Sequence, residues 1–162
     1  MIEIVEKNDM RTVTNEMRIE FAAVSDNESF ARMAVSAFIT PLNPTLEELS
    51  DVKTAVSEAV TNAVIHGYEN RNDRSDKVRM NCILRGDVLE VEIADQGVGI
   101  EDIKKAMEPL YTTKPELDRS GMGFAFMEAF MDDLEVCSGA GCGTSVKMCK
   151  KIGINPWIDS EE

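Results

Sequence analysis

The chain has a single histidine, a single tryptophan and four cysteines, and far fewer basic than acidic residues. One histidine and no C-x-x-C pair leave few ligands for a structural zinc site. The cysteines (Cys82, Cys137, Cys142 and Cys149) are expected to be reduced, with Cys82 and Cys149 as core thiols on alternating apolar strands. Lys and Arg number 17 against 30 Asp and Glu, a formal net charge of −13. That argues against general nucleic-acid binding, which depends on neutralising phosphates with cations. No apolar run approaches the roughly 20 residues needed to span a bilayer, so no membrane association is expected. The start, Met1-Ile2-Glu3-Ile4-Val5-Glu6-Lys7, lacks a signal peptide's basic beginning and apolar centre, which predicts a cytoplasmic location. An acidic surface serves solubility and also suits a partner with a basic face. Any bound polyphosphate then needs local help from metal, backbone N–H groups or a few placed cations.

What is present is enough for one domain: 162 residues bury roughly 70% of the surface of the unfolded chain. Glu16 to Ala22 alternates and reads as a strand. Ser25-x-x-Glu28 has the form of a capping box, and behind it Phe30, Met33, Ala34, Ala37 and Phe38 recur at helical spacing until Pro41. Thr45-x-x-Glu48 is a second box, opening a helix to about Gly67 with the apolar stripe Leu49, Val52, Val56, Val60, Ala63 and Val64. Val78 to Leu84 and Leu89 to Ile93 alternate around Arg85-Gly86-Asp87, a hairpin. Residues 101–107 suit a short helix, 108–119 a loop, and Gly121 to Leu134 a helix with Phe124, Met127, Phe130 and Met131 inward. A last hairpin spans Leu134 to Lys150, and a polar tail follows. The expected architecture is an α+β two-layer sandwich: a mostly antiparallel, mixed sheet with helices on one face.

Four stretches carry chemistry. Four residues of helix advance about 400°, so Glu58 and Asn62 stack on one face, away from the apolar stripe. A carboxamide oxygen is a hard ligand suited to Mg²⁺, and a glutamate one turn away can accept a proton from an attacking hydroxyl. The same residues also suit a merely polar helix face. His66, one turn further along, suits capping or packing near the helix end better than catalysis. Asp95 ends a strand at the rim of the sheet, where its carboxylate can accept from an exocyclic amine. Gly97 and Gly99 would let a flat ring approach the backbone. Alone, this is an acidic turn with two glycines.

Ser120-Gly121-Met122-Gly123-Phe124 opens a helix, and N–H groups at such a terminus form an anion site. Lys114 and Arg119 are the nearby cations, and Arg119 can grip a terminal phosphate with two hydrogen bonds. Each also suits an ordinary loop charge. Gly143-Thr144 begins the last strand, where Thr144 either supports Asp95 or simply favours the strand.

The set Glu58-x-x-x-Asn62, Asp95-x-Gly97-x-Gly99, Gly121-x-Gly123 and Gly143-Thr144 resembles the Bergerat (GHKL) ATP-binding fold, shared by gyrase, Hsp90, histidine kinases and MutL. Within it, Ser57 to Tyr68 and Pro109 to Phe124 closely resemble the sporulation anti-sigma F factors. The similarity covers residues 15–150, leaving 1–14 as an N-terminal extension and 151–162 as the tail. The resemblance implies a homodimeric ATP-dependent serine protein kinase. It would hold a sigma factor of the sigma F type inactive and phosphorylate a serine of an anti-anti-sigma factor. It makes Glu58 the general base, Asn62 the Mg²⁺ ligand, Asp95 the adenine reader and Arg119 the γ-phosphate contact. Thr113, Lys114, Ser120, Gly121, Met122, Gly123 and Thr144 join Gly97 and Gly99 around ATP. Arg32 matches the family's partner-docking arginine, with Arg119 and Asp118 as further partner contacts. Asp118 stands where a glutamate is familiar, so its reach is shorter.

Two alternatives of other kinds remain: a nucleotide-gated sigma-binding switch without useful catalysis, and an anti-sigma kinase for a stress-response sigma factor. Glu58 favours a kinase over the switch, because a switch needs Asn62 but no base. A gyrase- or MutL-type ATPase is disfavoured by the lack of a transducer domain after residue 150, and a histidine-kinase core by the lack of a phospho-acceptor helix before the domain.

Overall fold

The computed structural model describes residues 12–108 and 122–153. Thr113, Lys114, Asp118, Arg119, Ser120 and Gly121 lie outside the described residues, as do most of the N-terminal extension and the tail from residue 154.

Five strands form one sheet: β1 (Asn15–Ala22), β2 (Lys77–Arg85), β3 (Val88–Asp95), β4 (Asp133–Ser138) and β5 (Thr144–Lys151), in the order β1-β2-β3-β5-β4. Every neighbouring pair is antiparallel. The mixed component expected of the sheet is therefore missing among the described strands. Alternation decides the faces. Val78, Met80, Cys82 and Leu84 of β2, Leu89, Val91 and Ile93 of β3, and Val146 and Met148 of β5 are buried. They meet the helices in one core. The opposite face carries half-buried charges, among them Lys147 paired with Glu90 at 3.2 Å. Cys149 lies on that face with Lys147, so it is not the core thiol that its strand suggested; Cys82 is. Burial pushes the Cys82 thiol up to about 12, leaving it protonated and inert.

Helix α1 (Asn27–Ile39) corrects two expectations. Its N-cap is Asp26, with no side-chain cap bond, so the Ser25/Glu28 box does not form. Instead Asn27 Nδ2 donates to the Ala22 carbonyl at 2.9 Å, tying the helix start to the end of β1. The buried stripe is Ala31, Val35 and Ile39, with Ala34 and Phe38 partly covered. Phe30 and Met33 are 55% and 65% exposed. The helix is apolar on nearly every side, so spacing allowed two adjacent stripes and packing, chiefly against the helix that follows, chose between them.

Helix α2 (Leu46–Asn62) starts at the expected box: Glu48 N–H donates to Thr45 Oγ1 at 3.0 Å, and Thr45 N–H to Glu48 Oε1 at 2.9 Å. Beyond Asn62 the chain does not continue as α-helix but widens into a π-helical stretch, Ala63–Gly67. A short helix α3 (Ile103–Ala106) follows β3. Helix α4 (Gly123–Phe130) is shorter than expected, because Met131 turns extended and Leu134 enters β4 opposite Met148. Met127, Met131 and Leu134 keep a helical interval across that boundary, which hid it. Phe130 is only half buried and stacks on Phe126 at 5.9 Å.

Candidate functional site

Glu58 and Asn62 stand one turn apart on α2, as their spacing predicts. The face they share is not an open helix back, because α4 packs across it. Its first residue, Gly123, is close enough that a Cβ there would lie 3.2 Å from Asn62 Nδ2 and 3.3 Å from Glu58 Oε2. The glycine therefore lets the α4 N-terminus come down directly on the carboxamide and carboxylate. Beyond it opens a cavity of about 950 Å³ whose wall includes Asn62, His66, Asp95, Gly99, Gly123 and Thr144. The site thus unites three of the four motifs and the described part of the fourth. His66, given a capping or packing role by its position, is part of the cavity wall. So is Lys105, a cation that no motif singles out.

The far end of the cavity is built around Asp95. Burial pushes its carboxyl up to about 6, against the pull of the Gly97 and Thr144 backbone N–H groups. Gly97 N–H donates to Asp95 Oδ1 at 2.9 Å. The glycines here serve chain-to-chain contact. A Cβ on Gly97 would lie 2.0 Å from the Gly67 carbonyl oxygen, and one on Gly99, whose φ is +75°, 1.9 Å from the Gly139 carbonyl oxygen. Gly67 in turn packs on the Asp95 carboxyl, 2.9 Å from where its Cβ would be, and its carbonyl accepts from Val98 N–H at 2.9 Å. The π-helical stretch is what brings the Gly67 carbonyl to this loop, in keeping with the frequent appearance of such stretches at functional sites.

Gly97→Ala tests this packing. Relieving a clash in which the Cβ would lie 2.0 Å from a backbone oxygen requires the loop to move. The expected cost is about 2–3 kcal/mol, read calorimetrically as a Tm fall of roughly 5–10 °C. An unchanged Tm would mean the loop parts from Gly67 freely.

Sequence reading missed two supports. Tyr68 Oη donates to the Lys77 carbonyl at 2.7 Å and accepts from Gln96 N–H at 2.8 Å, bolting the helix end to the residue after Asp95. Ser138 Oγ accepts from Ile100 N–H at 2.7 Å and lies 2.8 Å from Thr144 Oγ1. Gln96 and Ile100 lie 28 and 38 residues away from the hydroxyls they donate to, and no local signal marks either hydroxyl. Arg32 is placed on α1, away from the cavity, 4.0 Å from Glu28 and between the exposed Phe30 and Met33. Met122 is the N-cap of α4. Among the described residues no three His, Cys, Asp or Glu side chains gather to hold a metal alone. An Asn oxygen beside an anion site suits an ion carried in by phosphates.

The family model of a histidine kinase-like ATPase domain matches residues 21–150. An anti-sigma F factor of Oceanobacillus iheyensis is 57% identical over 138 residues, covering 85% of this chain and 93% of its own. One of Clostridium botulinum is 59% identical over 140 residues, covering 86% and 96%. Among solved structures, that of the RsbU and RsbW domains of Rv1364c from Mycobacterium tuberculosis superposes with a TM-score of 0.62 at 19% identity. That match covers 86% of this chain and 33% of the longer one, and it supports the fold alone. The chain belongs to the histidine kinase-like ATPase domains and, among them, to the anti-sigma F factors.

Proposed function

We propose that this protein is an ATP-dependent serine protein kinase and anti-sigma factor, working as a homodimer. It binds and inhibits a sigma factor of the sigma F type and phosphorylates a serine of its anti-anti-sigma factor. The observation that carries the proposal is the contact of Gly123 with both Glu58 and Asn62 at one end of a cavity that holds Asp95 at the other. The proposed amine reader, metal ligand and helix N-terminus line one cavity, and the proposed base lies against the same Gly123.

Asp95 accepts from the adenine amine, with Thr144 beside it and the Gly97–Gly99 loop against the ring. Asn62 offers its side-chain oxygen to Mg²⁺, which when bound neutralises charge between the phosphates. The N–H groups from Gly121 to Gly123 donate to phosphate oxygens, with Thr113, Lys114 and Ser120 as further ATP contacts and Arg119 as the γ-phosphate contact. Glu58 takes the proton of the attacking serine hydroxyl. A bond forms from that oxygen to the γ-phosphorus as the bond to the bridging oxygen of ADP breaks. Positioning and electrostatics supply most of the rate. Arg32 docks the protein partner together with Asp118 and Arg119. The exposed Phe30 and Met33 beside Arg32 suit such a surface, since apolar groups flanking an arginine are common at interfaces.

Incubation with ATP, Mg²⁺ and the anti-anti-sigma factor is expected to add one phosphate to a serine, followed by mass. Tight sigma-factor binding without transfer would replace the kinase by the nucleotide-gated switch. Capture of a stress-response sigma factor in preference to sigma F would reassign the partner.

A further inference from the structure

We infer that Ser138 sets base specificity at this site by fixing the direction of the Thr144 hydroxyl, so that Thr144 faces the nucleotide as a hydrogen-bond acceptor. The inference rests on ATP being the ligand.

A serine hydroxyl has one proton to give and two lone pairs to receive with. Among the described residues Ser138 Oγ has three polar neighbours. Ile100 N–H, 2.7 Å away, can only donate and fills one lone pair. The Gly143 carbonyl, 2.9 Å away, can only accept and takes the serine proton. Thr144 Oγ1, at 2.8 Å, could play either part. With the serine proton already committed, one arrangement satisfies all four groups: Thr144 gives its own proton to the remaining lone pair of Ser138. Any other leaves the Gly143 carbonyl without its donor.

The consequence lies in the cavity. Ser138 and Thr144 are cross-strand partners, and Thr144 pairs on its other side with Asp95. Asp95 and Thr144 both contribute to the cavity wall. A Thr144 hydroxyl whose proton points back at Ser138 offers only lone pairs to a ligand. It then stands beside a carboxylate that also only accepts when ionised. Two acceptors side by side favour a base edge that donates, directly or through a water, and oppose one that carries an oxygen there. Ser138 therefore acts as a positioning residue for base choice, touching the ligand only through Thr144.

The test is a comparison of Kd for ATP and for inosine triphosphate, which carries an oxygen in place of the adenine amine. Ser138→Ala frees the Thr144 proton to swing into the cavity. The preference for ATP over inosine triphosphate should narrow about five- to tenfold, the worth of one hydrogen bond. Both nucleotides will also lose some affinity in common, because Ile100 N–H and the Gly143 carbonyl lose a partner. A merely structural role would produce that common loss with the ratio unchanged. Thr144→Ser should keep the wild-type ratio. In a Thr144→Val background, Ser138→Ala should change the ratio no further, since the group it orients is gone. A ratio within twofold of wild type in Ser138→Ala, or additive effects in the double variant, would overturn the inference while leaving ATP as the ligand. Wild-type protein that binds neither nucleotide would remove both.

Discussion

Glu58→Gln is expected to lose phosphotransfer by roughly 10²–10⁴-fold, the usual contribution of a positioned general base, while Kd for ATP changes little. Glutamine keeps the shape of the side chain against Gly123, where Glu58 Oε2 now lies. It cannot take a proton from serine. Single-turnover transfer to the anti-anti-sigma factor separates the two effects, with nucleotide affinity measured on the same protein by calorimetry. Transfer at the wild-type rate would remove Glu58 from the role of base. Loss of ATP binding together with transfer would instead make it a structural support of Asn62.

Asp95→Asn is expected to do something less usual: to weaken ATP binding about 100-fold, as loss of a charged acceptor does, and to make the free protein more stable. Burial raises the Asp95 carboxyl from 3.8 to about 6. In the unfolded chain the group ionises near 3.8, and in the folded one near 6. The folded state therefore holds the extra proton between those values. The stability tied to that proton is complete below pH 3.8 and is lost as pH rises to 6 and beyond. At neutral pH, keeping the carboxylate ionised in its half-buried setting costs about 3 kcal/mol for a shift of some two units. Asparagine is neutral throughout and can still accept from Gly97 N–H, although it can forfeit the bond from Thr144 N–H. A net gain of about 2 kcal/mol at pH 7 is expected, seen as a Tm rise of roughly 4–8 °C. Stability between pH 4 and 6 should also become flatter. In the wild type, ATP affinity should fall as the pH drops below about 6 and the acceptor is protonated. A lower Tm in the variant would mean that its hydrogen bonds outweigh the desolvation of the charge.

The parts of this site legible in the sequence are those whose geometry is local. Glu58 and Asn62 share a helix, so their spacing alone put them on one face. Thr45 and Glu48 close a cap within one turn. Asp95 ends an alternating strand. Where two local patterns compete, local information fails. Ser25 and Glu28 have the right types, yet Asn27 reaches the Ala22 carbonyl and moves the helix start. On α1 either of two stripes satisfies the periodicity, and packing into the shared core selected Ala31, Val35 and Ile39. The purpose of Gly97 and Gly99 was hidden for a different reason. The backbones they must clear, at Gly67 and Gly139, come from distant segments. Tyr68 and Ser138 were hidden in the same way, because a hydroxyl carries no signature of the chain it will meet.

The strand order has one more consequence. Because β5 lies directly beside β3, the chain leaves β3 after Asp95 and enters β5 at the residue paired with it, Thr144. Among the described residues of that excursion, only those of β4 belong to the sheet. Residues can be added to or removed from the stretch between β3 and β4 without shifting the register of any strand. The two residues at the ends of the excursion, Asp95 and Thr144, both line the cavity. A change of length between β3 and β4 therefore leaves that pair together in the cavity wall.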